Sequence, residues 1–191
     1  MLMHLRSGRK VDPLNLRQED VCIEDIAHGL SLINRFNGQT RIGYSVARHS
    51  VNVARRLNSS RELMLLGLLH DAPEAYLGDI IRPVKHRVRL QHDHVGQESF
   101  DELEARTMNV ILAALGIPHA LPPTSSAQKK SAVWAPVFEA DDAELAREQR
   151  GLFDGGDLVI PMMAPQVAAT WFLSHYRDLR AGAQFFSGDP L

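Results

Sequence analysis

The sequence predicts an all-α fold, arranged as a compact helical bundle. Apolar residues recur at spacings of three and four along most of the chain, which is the period of an amphipathic helix. Glycine, proline and serine signals divide these stretches, and no alternating strand pattern of useful length appears. The 191 residues, 45% hydrophobic and 23% charged, predict a single domain over residues 1–191 with a substantial core.

The first predicted helix follows an irregular arm. Residues 1–20 contain glycine, proline and asparagine at positions that break any helical period, so we expect an arm packed on the domain. From about Val21 the period becomes helical, and the turn signal Asn37-Gly38 ends it. The apolar face of this helix carries Ile23, Ile26, Ala27, Leu30 and Ile33.

Two helices follow, and the second of them is predicted to be central. Ser45 can cap a helix whose apolar side carries Val46, Val53, Ala54 and Leu57. Ser59-Ser60 separates it from a third helix, Arg61–His70, which is apolar nearly all round and should therefore be buried.

Prolines and glycines set the limits of the next predicted elements. Pro73 fits the first turn of a short helix, and Pro83 marks a break in an irregular loop. Residues 91–116 are predicted to form a long amphipathic helix, which includes Val95 and is closed by Gly116 and Pro118.

The last part of the chain predicts a loop and two helices. Residues Ala120–Lys130 form the most polar stretch and are predicted to be a loop. A helix over 131–150 carries a pair of aspartates, the glycine pair Gly155-Gly156 interrupts the chain, and a last helix runs from about Pro165 to Arg180.

Composition argues against several classes of protein. A net charge of −2 and a pI near 6.5 give no sign of polynucleotide binding or of a polybasic membrane anchor. Cys22 is the single cysteine, which fits a reducing compartment. The N-terminus has no apolar signal-peptide region, and no run approaches the roughly 18–20 apolar residues of a spanning helix. We expect a soluble, cytoplasmic protein with no membrane partner.

A histidine and an aspartate stand together at the end of the apolar third helix. A buried carboxylate beside a buried imidazole costs free energy unless it is compensated, and a divalent cation can do this. His49 upstream and Asp141 downstream complete the order His, His70-Asp71, Asp. Imidazole and carboxylate ligands suit Mn, Fe, Co, Ni or Zn, and Mg more weakly. Four ligands on an octahedral ion leave places for a water and a phosphate oxygen, which points to a metal-dependent phosphohydrolase.

Two further acids follow the His70-Asp71 pair. Glu74 lies three and four residues later, near enough to orient or deprotonate an attacking water. Asp79 follows Gly78 and could protonate a leaving oxygen or hold water. Each residue alone also has an ordinary structural reading, such as a first-turn acid favoured by the helix dipole.

These motifs resemble the HD-domain phosphohydrolase superfamily, in the branch that contains bacterial 5′-deoxynucleotidases and phage-type dATP triphosphohydrolases. HDAPEAYLGDI is the most specific part of the resemblance, and the matching segments keep the order found in that branch. They are EDIAHGLSLINRFNG (24–38), YSVARHS (44–50), LLGLLHDAPEAYLGDI (65–80), RPVK (82–85) and EADDAE (139–144).

The resemblance implies roles for particular residues. It implies that the metal ligands are His49, His70, Asp71 and Asp141. Glu74 and Asp79 match the acids near the attacking water and the leaving group. Arg35 and Lys85 match residues that contact phosphate, and Phe36 replaces a tryptophan placed near the sugar. Arg48 stands where glutamate is expected. It either adds positive charge near the site or faces solvent, and we expect it to face solvent.

The function that the resemblance implies is metal-dependent hydrolysis of 2′-deoxynucleotides, with dATP, dADP or dAMP favoured. Water would attack the α-phosphate and release the deoxynucleoside. One alternative is a 5′-deoxynucleotidase restricted to deoxynucleoside monophosphates, and another is a non-catalytic nucleotide-sensing module. Basic residues such as Arg41, Arg82, His86, Arg87 and Arg89 could meet additional phosphates or form a solvated surface. Members of the branch are often dimers or larger, so a homo-oligomer is expected.

Overall fold

Helices make up most of the part of the chain that this computed structural model describes, which is residues 2–58, 60–92, 96–122, 125–153, 156 and 158–182. The predicted all-α class is therefore confirmed. The helices are α1 (Ile23–Leu32), α2 (Val46–Arg56), α3 (Arg61–Leu69), α4 (Glu74–Leu77), α5 (Arg82–Lys85), α6 (Phe100–Ala114), α7 (Ser125–Lys130), α8 (Ala135–Leu152) and α9 (Pro165–Ala181).

Two small antiparallel hairpins accompany the helices in the described part of the chain. The first joins β1 (Met3–His4) to β2 (Lys10–Val11), and the second joins β3 (Arg89–His92) to β4 (Gly96–Ser99). The N-terminal hairpin is tied to α1, because the Ser7 backbone N–H and hydroxyl donate hydrogen bonds of 2.9 and 2.6 Å to the Asp25 carboxylate.

Helix α2 lies at the centre of the bundle and packs against α1, α3, α8 and α9. Its N-terminus forms as predicted, since the Ser45 hydroxyl accepts a hydrogen bond of 3.3 Å from the Arg48 backbone N–H. Ser60 caps α3 in the same way. The main core therefore brings α2 and α3 into contact with α8, and its largest fully buried side chains include Trp134, Phe172, Leu66, Leu68, Leu69 and Ile111.

Four predictions about the elements were wrong. The helix predicted over 91–116 begins only at Phe100, after the second hairpin. Ser99 and Glu102 form a capping box that fixes this start. Pro83 lies within the first turn of α5 and not in an irregular loop, because the first turn of a helix does not need the proline N–H.

The segment Ala120–Lys130, predicted to be a loop, contains α7. The first helix also ends earlier than expected, at Leu32, and Arg35–Gly38 forms a separate 3-10 turn. The predicted features at Ser59, Val95 and Gly155 fall outside the described residues.

Among the described residues, no helix combines the length and the apolar character that crossing a membrane requires.

Candidate metal centre

Three helices bring two histidines and an aspartate together in the interior. His49 comes from α2, His70 follows the last residue of α3, and Asp141 comes from α8. Nε2 of His49 lies 3.3 Å from Nε2 of His70 and 3.0 Å from Oδ1 of Asp141. One ligand atom from each residue lies within 4.8 Å of the others, so this group can hold a metal ion.

Asp71 lies beside this group. Its Oδ2 is 3.2 Å from Nε2 of His70 and 3.6 Å from Nε2 of His49. The same oxygen is buried and makes no hydrogen bond to any described residue. A buried carboxylate oxygen without a hydrogen bond is costly, and a cation between it and the imidazoles would remove that cost. The donor set therefore fits a divalent ion.

Charge in the centre is balanced between histidine and carboxylate. Burial and the Arg35 charge lower the pKa of His49, but Glu148 and Asp141 outweigh them and raise it to about 9. Burial raises the pKa of Asp141, whereas its hydrogen bond to His49 and the charge of His70 lower it to about 2. The neighbouring carboxylates therefore favour the protonated form of His49 when no cation is bound, and binding of a cation would release that proton.

Glu74 begins α4 and is buried close to Asp71. Burial, followed by the charges of Asp71 and Asp79, raises the pKa of Glu74 well above its usual range. Its Oε2 is buried and has no hydrogen-bond partner among the described residues. Burial also raises the pKa of Asp79, although Arg35 opposes it. Burial therefore shifts both acids toward their neutral forms.

Arg35 approaches the centre from the 3-10 turn after α1. Its Nη1 lies 3.5 Å from Oδ2 of Asp71, and its Nε donates a hydrogen bond of 2.9 Å to Oε2 of Glu148. The other oxygen of Glu148 lies 2.7 Å from Nδ1 of His49. Sequence reasoning missed Glu148, although its position seven residues after Asp141 places both on one face of a helix.

Phe36 occupies a strained position next to Arg35. Both Phe36 and Asn37 have positive φ angles, 56° and 51°, which residues other than glycine adopt at a cost. The Phe36 ring packs edge-on against Phe153 with centroids 5.2 Å apart. It belongs to a small apolar cluster around Tyr44, Leu152 and Ile160.

Two basic residues of α5 pair with carboxylates. Lys85 forms an ion pair with Glu104 of α6. Burial lowers the pKa of Lys85, but the charge of Glu104 and its hydrogen bond prevail and raise it. Arg82 lies 3.0 Å from Oδ2 of Asp141 and 3.1 Å from Oδ1 of Asp142. Glu104 was not identified from the sequence, because its pairing with Lys85 depends on how α6 packs.

The prediction that Arg48 faces solvent was wrong, because the side chain is buried. Its side chain donates to the Pro161 carbonyl, its guanidinium lies 5.0 Å from the centre of the Tyr44 ring, and the residue is only 6% exposed. The aliphatic stem and planar head of arginine allow such burial when partners are available. Arg48 therefore packs between α2 and the segment before α9.

Comparison with known proteins identifies relatives of this chain, but no family model matches it. The chain is 41% identical over 123 residues to an uncharacterized protein of Rhodobacter capsulatus, a match that covers 61% of the chain and 59% of that relative. The chain thus spans about three fifths of the length of this relative. It is 34% identical over 188 residues to the uncharacterized protein YfdR of Escherichia coli (strain K12), covering 91% of the chain and 92% of YfdR. Because this identity extends over nearly the whole of both proteins, the chain belongs to the same family as YfdR.

Proposed function

We propose that this protein is a metal-dependent phosphohydrolase that acts on 2′-deoxynucleotides, with dATP, dADP or dAMP favoured. The observation that carries the proposal is the buried group formed by His49, His70 and Asp141. Asp71 adjoins this group with an oxygen that makes no hydrogen bond to any residue that the structure describes. The order of these residues along the chain is also the order expected from the resemblance to HD-domain phosphohydrolases.

His49, His70, Asp71 and Asp141 would hold one divalent ion, with Mn, Co, Zn, Ni, Fe and Mg as the candidates. When bound, such an ion polarises a phosphoryl oxygen and lowers the pKa of a water toward neutrality. Two imidazoles with two carboxylates leave a net negative ligand set, which suits a doubly charged cation.

Glu74 is the proposed base. Burial and the neighbouring carboxylates raise its pKa well above the usual range. Positive charge placed beside Asp71 favours the ionised form of Glu74, whose free oxygen could then accept a proton from the attacking water. Asp79, whose pKa burial also raises, is suited to give a proton to the leaving oxygen.

The reaction would form one bond and break another at phosphorus. The water oxygen attacks the α-phosphorus, its proton passes to Glu74, and the bond from phosphorus to the 5′-oxygen breaks. Asp79 would protonate the released 5′-oxygen. A monophosphate then yields the deoxynucleoside and phosphate, whereas a triphosphate yields the deoxynucleoside and intact triphosphate.

Arg35 and Lys85 are the proposed phosphate contacts. Both are largely buried, and both face carboxylates in the ligand-free protein, Arg35 facing Asp71 and Glu148 and Lys85 facing Glu104. Charge-assisted hydrogen bonds to phosphate are strong, and the planar guanidinium can contact two oxygens at once. A phosphate entering beside Asp71 would give these cations a second anionic partner.

Product analysis tests the proposal. The protein is incubated with Mn²⁺ or Co²⁺ and a panel of deoxynucleoside mono- and triphosphates, with ribonucleotides as the matched comparison, and the products are separated by chromatography. Deoxynucleoside plus intact triphosphate from dATP would identify a triphosphohydrolase. Turnover confined to monophosphates would identify a 5′-deoxynucleotidase. No turnover by the metal-loaded protein would reject hydrolysis and favour a nucleotide-sensing role.

A further inference from the structure

Glu148 connects two parts of the candidate centre. The side chain is completely buried on α8, and its two oxygens contact different residues. Oε1 lies 2.7 Å from Nδ1 of His49, and Oε2 lies 2.9 Å from Nε of Arg35. His49 and Arg35 in turn both approach Oδ2 of Asp71, at 3.6 and 3.5 Å. Glu148 therefore closes a ring of contacts that includes two of the proposed metal ligands, His49 and Asp71.

The chemistry of these groups fixes their orientation. An ionised carboxylate only accepts hydrogen bonds, and arginine only donates them. Glu148 therefore selects the form of His49 that carries a proton on Nδ1 and directs Nε2 toward His70 and Asp141. The same carboxylate holds the Arg35 guanidinium with Nη1 turned toward Asp71.

We propose that Glu148 is a positioning residue that aligns His49 for the metal ion and Arg35 for an anionic ligand at the same time. This inference rests on the proposed function. Glu148 does not itself contact the ion. Its loss would still weaken metal binding, because His49 would no longer be held in the orientation that the metal needs. Carboxylates that orient a metal-bound histidine change metal affinity by about 10- to 100-fold when they are replaced.

Glu148→Gln separates this role from simple packing. Glutamine is nearly the same size, but it offers one acceptor and one donor group. If its oxygen faces His49, its NH₂ group opposes the Arg35 N–H. If its oxygen faces Arg35, its NH₂ group requires Nδ1 of His49 to be an acceptor, which moves the proton to Nε2 and blocks the metal position. Arginine does not lose its proton, so the second arrangement should prevail.

The experiment measures Mn²⁺ binding to the folded protein by isothermal titration calorimetry. Glu148→Gln is expected to weaken Mn²⁺ binding about 10- to 100-fold relative to wild type. Glu148→Asp keeps the charge on a shorter side chain, so its Mn²⁺ affinity should lie between those of wild type and Glu148→Gln. The matched control is Glu139→Gln, which removes the same charge from an exposed position on α8 and should bind Mn²⁺ as wild type does.

A second measurement guards against misfolding. The rise in unfolding temperature on adding Mn²⁺ reports binding independently of any change in basal stability, and it should be smaller for Glu148→Gln than for Glu139→Gln. Equal Mn²⁺ affinity for Glu148→Gln and wild type would overturn the inference and leave the proposed function standing. Failure of wild type itself to bind Mn²⁺ would instead reject the metal centre on which both depend.

Discussion

Arg56 and Glu144 form an ion pair that joins α2 to α8. Nη2 of Arg56 lies 2.7 Å from Oε2 of Glu144, whose side chain is only 2% exposed. Nη1 of Arg147 lies 2.8 Å from the other oxygen of Glu144. Helix α2 carries His49 and α8 carries Asp141, so this contact helps to set the distance between two candidate metal ligands.

Removing Glu144 should therefore cost stability. Glu144→Ala is expected to lower the free energy of unfolding by about 1.5–3 kcal/mol, the range for hydrogen bonds to charged groups. The expected loss of stability is moderate because the side chains of Arg56 and Arg147 are about one third exposed, so water can hydrate them once Glu144 is removed. Urea denaturation measures the change, and Glu139→Ala on the exposed face of α8 should remain within about 0.5 kcal/mol of wild type. Equal stability of the two variants would show that the ion pair does not hold the helices.

The residues of the centre that could be predicted from the sequence are those that lie in recognisable short motifs. His70-Asp71 ends an apolar helix, and the flanking motifs supplied His49 and Asp141 in order. Glu148 and Glu104 were missed because their partners are far away in sequence, and only the packing of α8 and α6 brings them together.

The errors in the predicted fold have a similar cause, since they also concern features for which the local sequence pattern gives little information. The start of α6 depends on a capping box at Ser99 and on a preceding hairpin of mostly polar residues, where hydrophobic periodicity gives little information. Burial of Arg48 depends on its hydrogen bond to the Pro161 carbonyl. Pro161 lies more than 100 residues further along the chain, so the sequence of α2 alone could not predict this contact.

Asp71→Asn tests whether Asp71 helps to bind the metal. The amide keeps the shape of the side chain but removes the negative charge that faces both imidazoles. We expect weaker Mn²⁺ binding and a loss of activity of about 1,000-fold, since stabilisation of charge by a metal is worth several kcal/mol. Metal content after gel filtration and initial rates measure the two effects. Full metal content in this variant would exclude Asp71 as a ligand.

Glu74→Gln should separate binding from turnover. The amide cannot accept a proton from water, but the four proposed ligands are unchanged. Mn²⁺ affinity should stay within a few-fold of wild type, whereas turnover should fall by about 100- to 10,000-fold, the range for loss of a general base. Calorimetry and steady-state kinetics on the same preparation make the comparison. Wild-type turnover in this variant would remove Glu74 from the mechanism.

Lys85→Met tests the proposed contact with phosphate. Methionine keeps an apolar side chain of similar length and removes the charged Nζ, which lies 6.0 Å from the centre of the Phe100 ring. The loss of one charge-assisted hydrogen bond, worth about 1.5–3 kcal/mol, should lower kcat/KM by about 10- to 100-fold. Lys130→Met, an exposed change in the last turn of α7, is the matched control. Kinetic constants that do not differ between the two variants would contradict the assignment.

Glu104 should make the stability of the protein depend on pH. Burial raises the pKa of Glu104 from 4.5 to about 7, although its ion pair with Lys85 opposes the shift. The folded protein therefore binds this proton more tightly than the unfolded chain does. The stabilisation is fully present below pH 4.5 and is lost as the pH rises through about 7.

Glu104→Gln removes that titration while keeping the size of the side chain. Measured in a chelating buffer, wild type should lose about 2–3 kcal/mol of stability relative to this variant between pH 4.5 and 8, because one pKa unit corresponds to about 1.4 kcal/mol. Other groups that titrate in this range are present in both proteins, so the difference between the two unfolding free energies isolates Glu104. A difference that stays constant with pH, or that favours wild type more strongly as the pH rises, would show that the ion pair with Lys85 outweighs the cost of burial.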